Sequence, residues 1–372
     1  MIKRNYGIDL LRCISMMMIV VLHIMGHGKI IAATDPETLN YKVAWFIEII
    51  AYCAVNCYAL ISGYVGVRTN HKYRNIIPLW LQVAFYTVSI ALLFQLFDPA
   101  SIDLKGIISS FFPVIHSSYW YFTAYFALFF LMPLLNKGIN AMTKDDAKKL
   151  VLAIIVVFTV IRTILCFNII GTFGTTDIFI TNNGYSVLWL MLLYIVGGCI
   201  GKFDFWKTTK AWKICIVFWV SILFSWAFKL YVENPLSEDI KSIVNANSFI
   251  SYISPTIIAT AICLLLLFSR LETLPKTAQK IVTFFAPVSF AVYLIHDNVM
   301  VRNMFIKEKF SHLADLEPLE MVLHIFAVVL VIYISCSLID HIRLLLFKLL
   351  HIKEIVNKIA DLKIKKKQNV IE

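Results

Sequence analysis

Three ionisable side chains sit where they are costly to keep. Gly7–Gly28 reads GIDLLRCISMMMIVVLHIMGHG, an apolar run long enough to cross a bilayer, yet it carries Asp9, Arg12 and His23. A charged or titratable group inside a membrane helix is by default a functional candidate with a partner to be found. Arg12 and His23 are eleven residues apart, which on a helix is three turns and a small remainder, so both share one face about 16 Å apart in height. Asp9 precedes Arg12 by three and is within reach of a local ion pair. The stripe therefore offers a charged pair near one membrane surface and an imidazole toward the other. An imidazole is the side chain suited to general-base work near neutral pH.

Other groups gather around that chemistry. Glu48, in the second apolar stretch, falls at a height that matches His23, and a carboxylate beside an imidazole would fix its tautomer and raise its basicity. A late stretch, PVSFAVYLIHD, places Ser289 and His296 on one helix face with Tyr293 beside it. The expected chain direction brings His296 to the same half of the membrane as His23. Arg162 arrives at a similar depth and could neutralise an oxyanion, hold an anionic group or pair with Glu48. His27 follows His23 by four, but no third ligand is evident, so no metal is expected. The stretch HSSYWYFTAYFALFFLMPLLN opens with His116, Trp120 and Tyr121, an aromatic cluster that could stack on sugar rings or form an interfacial belt. The loop GVRTNHKYRNIIPLW carries Arg68, Lys72 and Arg74 within seven residues, cations suited to phosphates and equally to a topology signal.

The elements that position these groups follow from composition. Hydrophobic residues make up 60% of the 372 and charged residues 15%, with mean hydropathy +0.78. Soluble domains carry roughly 25% charge. The expectation is an all-α polytopic membrane protein of about ten spans with no sizeable soluble domain. The spans are read at 7–27, 43–66, 76–97, 119–136, 150–170, 185–201, 212–232, 249–269, 282–301 and 319–342, the first retained rather than cleaved. Residues 1–342 would be the membrane domain and 343–372 a basic amphipathic tail lying on an anionic leaflet.

Basic residues set the orientation. One set of alternate connections holds 24 Lys and Arg and the other seven. The positive-inside rule then places both termini in the cytoplasm of a bacterial-type plasma membrane. The net charge of +11 is spent on topology, and nucleic acid is not an expected partner. The eight cysteines all fall in expected spans, without a Cys-x-x-Cys pair, and read as small packing residues.

Asp9-x-x-Arg12 followed by ten residues and His23 resembles the opening helix of the type-3 integral-membrane acyltransferases. Trp120-Tyr-Phe with Tyr125 and Pro133-Leu-Leu-Asn resembles that family's fourth helix, and Ser289-x-x-x-Tyr293-Leu-x-His296 its late motif. The basic loop resembles the family's Arg-x-x-Arg loop loosely; aligned on Pro78, it reads Lys72-x-x-Asn75. The resemblance implies transfer of an acyl group, acetyl above all, from cytoplasmic acyl-CoA to a hydroxyl of a surface or cell-wall glycan or a lipid-linked glycan outside. It implies His23 as general base, Arg12 with Asp9 along the donor channel, Arg68, Lys72 and Arg74 at the acyl donor, and no tightly bound cofactor besides acetyl-CoA as co-substrate. His116, Trp120, Tyr121, Arg162, Ser289, Tyr293 and His296 would face the acceptor. No appended esterase-like domain is seen, so one membrane domain would carry the whole transfer. The rival class is a transporter of a small polar substrate such as an amino acid. Against it, neither inverted repeats nor paired Gly/Pro-broken helices are evident.

Overall fold

A computed structural model describes residues 4–167, 177–234, 238–352 and 354–358. The chain is all-helical, 77% helix and without strands among the described residues, and has no separate soluble domain. It is a multi-pass membrane protein. The helices used below are α1 (Tyr6–Gly26), α2 (Leu39–Ala51), α3 (Ala54–Gly66), α4 (Ile76–Phe97), α5 (Trp120–Ala141), α6 (Lys144–Ile155) and α7 (Arg162–Leu165). They continue as α8 (Val187–Phe203), α9 (Ala211–Glu233), α10 (Pro255–Ser269), α11 (Lys276–Phe285), α12 (Ser289–His296) and α13 (Pro318–Leu349).

Seven runs among the described residues are long and apolar enough to cross a membrane. The other three expected segments are shorter or interrupted. α8 and α10 are apolar but short, and α6 joins α7 through a π-helical stretch, Val156–Ile161. A wide turn of that kind shifts the helix face by one residue and often marks a functional site; Arg162 follows it directly. Residues 168–170 of the expected fifth span lie outside the described residues. So do Lys363, Lys365, Lys366 and Lys367 of the expected tail, while α13 runs past Arg343 to Leu349.

α1 is the axis of the bundle. It packs against α2, α3, α10, α12 and α13, so its polar stripe faces protein rather than lipid, as polar groups in a bilayer must. Both ends are fastened. At its start, the Asn5 side chain accepts from the Ile8 amide and donates to the Ser269 carbonyl at 2.7 Å, while the Gly7 amide donates to the Leu271 carbonyl at 2.9 Å. At its far end the His27 and Gly28 carbonyls accept from the Glu308 and Phe310 amides at 2.9 and 3.1 Å. α3 and α8 pack backbone against backbone. A Cβ on Gly63 would strike the Tyr194 carbonyl, and one on Gly197 the Leu60 carbonyl. Small residues let backbones touch where no hydrophobic force drives helices together.

Candidate active site

The α1 stripe connects two differently built spaces. At the start of α1 a cavity of about 520 Å³ is lined by Arg4, Asp9, Arg12, Arg68, Lys207 and Arg270, among others. Asp9 is held by both neighbours on its own chain: Arg4 Nε donates to it at 2.6 Å and Arg12 Nη1 at 2.7 Å. One carboxylate thus orders two guanidinium groups and leaves the cavity a surplus of cations. Arg68 donates to the Gly201 carbonyl, and its Nη2 lies 3.4 Å from Asp204. Lys72 and Arg74 are not among its lining residues. Arg4, Lys207 and Arg270 were legible only as topology signal, because the bundle alone brings distant basic positions to one cavity.

Eleven residues further along α1, His23 meets His296. The two ring nitrogens, His23 Nδ1 and His296 Nε2, are 2.9 Å apart. The proton positions follow from the network. His296 Nδ1 lies 2.5 Å from the Val292 carbonyl, which can only accept, so His296 Nδ1 carries the hydrogen. In a neutral ring its Nε2 is then an acceptor, and His23 Nδ1–H donates to it. His23 is left with the lone pair on Nε2, the protonation pattern a general base requires.

The carboxylate beside His23 is Asp297, with Oδ1 3.5 Å from His23 Nδ1, and not Glu48. Arg302 Nη1 holds the same oxygen at 2.8 Å. Glu48 instead lines a separate cavity together with Arg162. The expectation rested on matched heights; α1 and α2 do pack against each other, but Glu48 lines the cavity shared with Arg162 rather than the space at His23. Asp297 follows His296 directly in the chain, and that adjacency was the available signal. The end of α12 is locked in turn: the Tyr119 hydroxyl donates to the Leu294 carbonyl at 2.6 Å and accepts from the Asn298 amide at 3.1 Å.

His23, His27 and Asp297 have ligand atoms within 4.8 Å of one another, so Asp297 is the third metal-ligand type missing from the sequence reading. Its carboxylate already accepts from Arg302, and that guanidinium opposes a second positive charge at the same oxygen.

Between the two ends lies a narrow space of about 30 Å³. Met16, Ile19 and His23 of α1 face Tyr58, Trp120, Tyr121, Tyr252 and Tyr293 across it. Tyr58 donates to the Arg12 carbonyl at 3.0 Å and lies 3.4 Å from the Ser289 hydroxyl, tying the two ends of the stripe together. The Tyr293 hydroxyl is buried with no partner among the described residues. Trp120, Tyr121, Tyr293 and His296 thus gather at His23, and Ser289 lies one tyrosine away. His116 is exposed in the loop before α5. Arg162 is 4% exposed, with Nε 3.2 Å from Asp177. Burial alone would raise the Asp177 carboxyl, but hydrogen bonds from Thr181 and Asn182 and the Arg162 charge hold it below the usual carboxylate range.

A family model described as an acyltransferase domain matches residues 5–341. No curated protein and no solved structure matches the chain.

Proposed function

Since the chain belongs to the type-3 acyltransferase family, we propose that it moves an acetyl group from cytoplasmic acetyl-CoA to a hydroxyl of a surface or cell-wall glycan outside the cell membrane. The observation that carries this reading is the pairing of two sites on one helix face: a cationic cavity at Arg12 and a base-competent imidazole at His23. The phosphates of coenzyme A suit a cavity rich in arginine. Its pantetheine arm would run along α1, covering the rise of about 16 Å to His23. The space there is narrow, about 30 Å³, which suits a short acyl group better than a long chain.

The chemistry balances without a further reagent. His23 Nε2 takes the proton of the acceptor hydroxyl as its oxygen attacks the thioester carbonyl. The new C–O bond forms, the C–S bond breaks, and the coenzyme A thiolate leaves with the proton from His23. Asp297 compensates the positive charge that the imidazole gains in passing, and the Tyr293 hydroxyl is available to donate to the oxyanion.

The excess of Lys and Arg in one set of connections supports cytoplasmic termini, which puts the Arg12 cavity inside and His23 toward the outside. The test is acetyl transfer from radiolabelled acetyl-CoA to an envelope glycan fraction by the purified protein. His23→Ala should lower turnover by about 10²–10⁴ while the protein remains inserted and folded. A transporter would instead move its substrate without any acyl-CoA-dependent product. Transfer by His23→Ala at the wild-type rate would overturn the assignment.

A further inference from the structure

Beside the donor cavity, α6, α9 and α10 enclose a groove of about 280 Å³. Its walls include Ile155, Ile214, Val217, Ile258, Ala259 and Ile262. Val217 is 48% exposed, so the groove opens on the outside of the bundle rather than into its core. Along α10 it runs from Pro255 to Leu266, a span of eleven residues and a rise of about 16 Å. That is close to half of a hydrocarbon core roughly 30 Å thick, the depth of one leaflet.

The mouth of the groove has a different character. Trp206, Thr209 and Lys213 stand at the end nearest the donor cavity. Trp206 is 44% exposed, and an indole of this kind sits at the level of lipid headgroups. Lys210 and Lys213 are exposed. The one carboxylate between α8 and α9, Asp204, already serves Arg68 and Lys207 at 3.4 Å each. No carboxylate among the described residues pairs with Lys210 or Lys213. An apolar groove one leaflet deep, with an indole and two ammonium groups at its mouth, matches a lipid tail beneath a negative headgroup.

The same turn also serves the donor cavity. Leu266 lines both spaces, and Asp204 and Lys207 face the cavity while Trp206 and Thr209 face the groove. Arg270, a cavity residue, donates to the Trp206 carbonyl at 2.8 Å. Whatever fixes Trp206 therefore fixes two of the cavity's cations.

We propose that this groove binds one anionic phospholipid of the adjoining leaflet, and that the bound lipid holds the donor cavity in shape. One acyl chain lies along α10, and the phosphate meets Lys213 and Lys210. A zwitterionic lipid offers the same tail, but its own cation offsets the phosphate at the two lysines. The binding site stands on the groove and its charges; its effect on the donor rests on the acyl-transfer reading above.

The test reads binding and catalysis separately. Purified full-length protein is reconstituted with phosphatidylglycerol or phosphatidylcholine carrying a photoactivatable diazirine in one acyl chain, and peptide mass spectrometry maps the label. Phosphatidylglycerol should label the groove walls of α9 and α10 about fivefold more than phosphatidylcholine, the scale of one lysine near an anionic group. Lys213→Gln, a change at an exposed position, should remove that preference and leave phosphatidylcholine labelling as it was. Ala259→Trp fills the groove and should abolish labelling by both lipids. Equal labelling by the two lipids in the wild type, or an undiminished preference in Lys213→Gln, would overturn the site. In phosphatidylglycerol vesicles Lys213→Gln should also raise the Michaelis constant for acetyl-CoA, whereas in phosphatidylcholine the variant and wild type should match. An unmoved constant would overturn the link to the donor cavity. A wild type that transfers nothing in either vesicle would overturn the acyl-transfer reading, and the labelling decides the lipid site without it.

Discussion

The histidine pair behaves as a unit: the Val292 carbonyl holds the hydrogen of His296 on Nδ1, and His296 Nε2 in turn holds that of His23 on Nδ1. Removing His296 should leave His23 without the acceptor that holds its hydrogen on Nδ1, so His296→Ala should lower turnover with little change in the Michaelis constant for acetyl-CoA. The double variant His23→Ala/His296→Ala should be no worse than His23→Ala alone, since effects within one catalytic unit are far from additive. Additive losses would show that the two rings act separately. At the other end of the stripe, Arg68→Ala should raise the Michaelis constant for acetyl-CoA by about tenfold, the scale of one charge-assisted hydrogen bond, and leave turnover nearly unchanged. Steady-state kinetics at fixed glycan decides it; an unmoved Michaelis constant would leave Arg68 a topology signal. His23, Arg12 and Asp9 were legible because ionisable residues in an apolar run announce themselves. Asp297 and Arg302 were not, since they follow a helix end where polar residues are ordinary. Glu48 was placed by height alone, and height does not say which way a side chain faces: α2 touches α1, yet Glu48 lines a different cavity.

Helices were legible from hydrophobic length, and their interruptions were not. The second expected span is two helices, α2 and α3, joined at Tyr52 and Cys53. The ninth is α11 and α12, joined by a 3₁₀ turn at Ala286–Val288 that contains Pro287. Breaks of this kind cost little apolar length, so a hydropathy window passes over them, yet they re-aim Tyr52 and Ser289. Helix contacts are written in small residues instead, and the α3–α8 pair gives a prediction. Gly197→Leu forces a side chain into the Leu60 backbone and should destabilise the folded protein by about 1–3 kcal/mol, the usual cost of overpacking. Gly138 offers the control. A Cβ there meets nothing within 4 Å, so Gly138→Ala should be neutral or gain about 0.4–1 kcal/mol. Thermal unfolding in detergent compares the two; equal stability would remove close approach as the reason for Gly197.

For the whole molecule, orientation governs every statement about inside and outside. Reporter fusions that require export should be active after Thr38 and after Asn245 and inactive after Thr143; the reverse pattern would turn the protein over and exchange the donor and acceptor faces. A membrane protein with cavities of about 520 and 510 Å³ near one narrow constriction also poses an electrical problem. A membrane potential of 100 mV is worth about 2.3 kcal/mol for each elementary charge that crosses, and a continuous file of water would short-circuit it. In the proposed orientation, the constriction of about 30 Å³ between Met16 and the rings of Tyr58, Tyr121 and Tyr293 would insulate one face from the other. Carving it open with Tyr121→Gly should therefore turn a group-transfer enzyme into a leak, visible as an ohmic current in a planar bilayer where the wild type is silent.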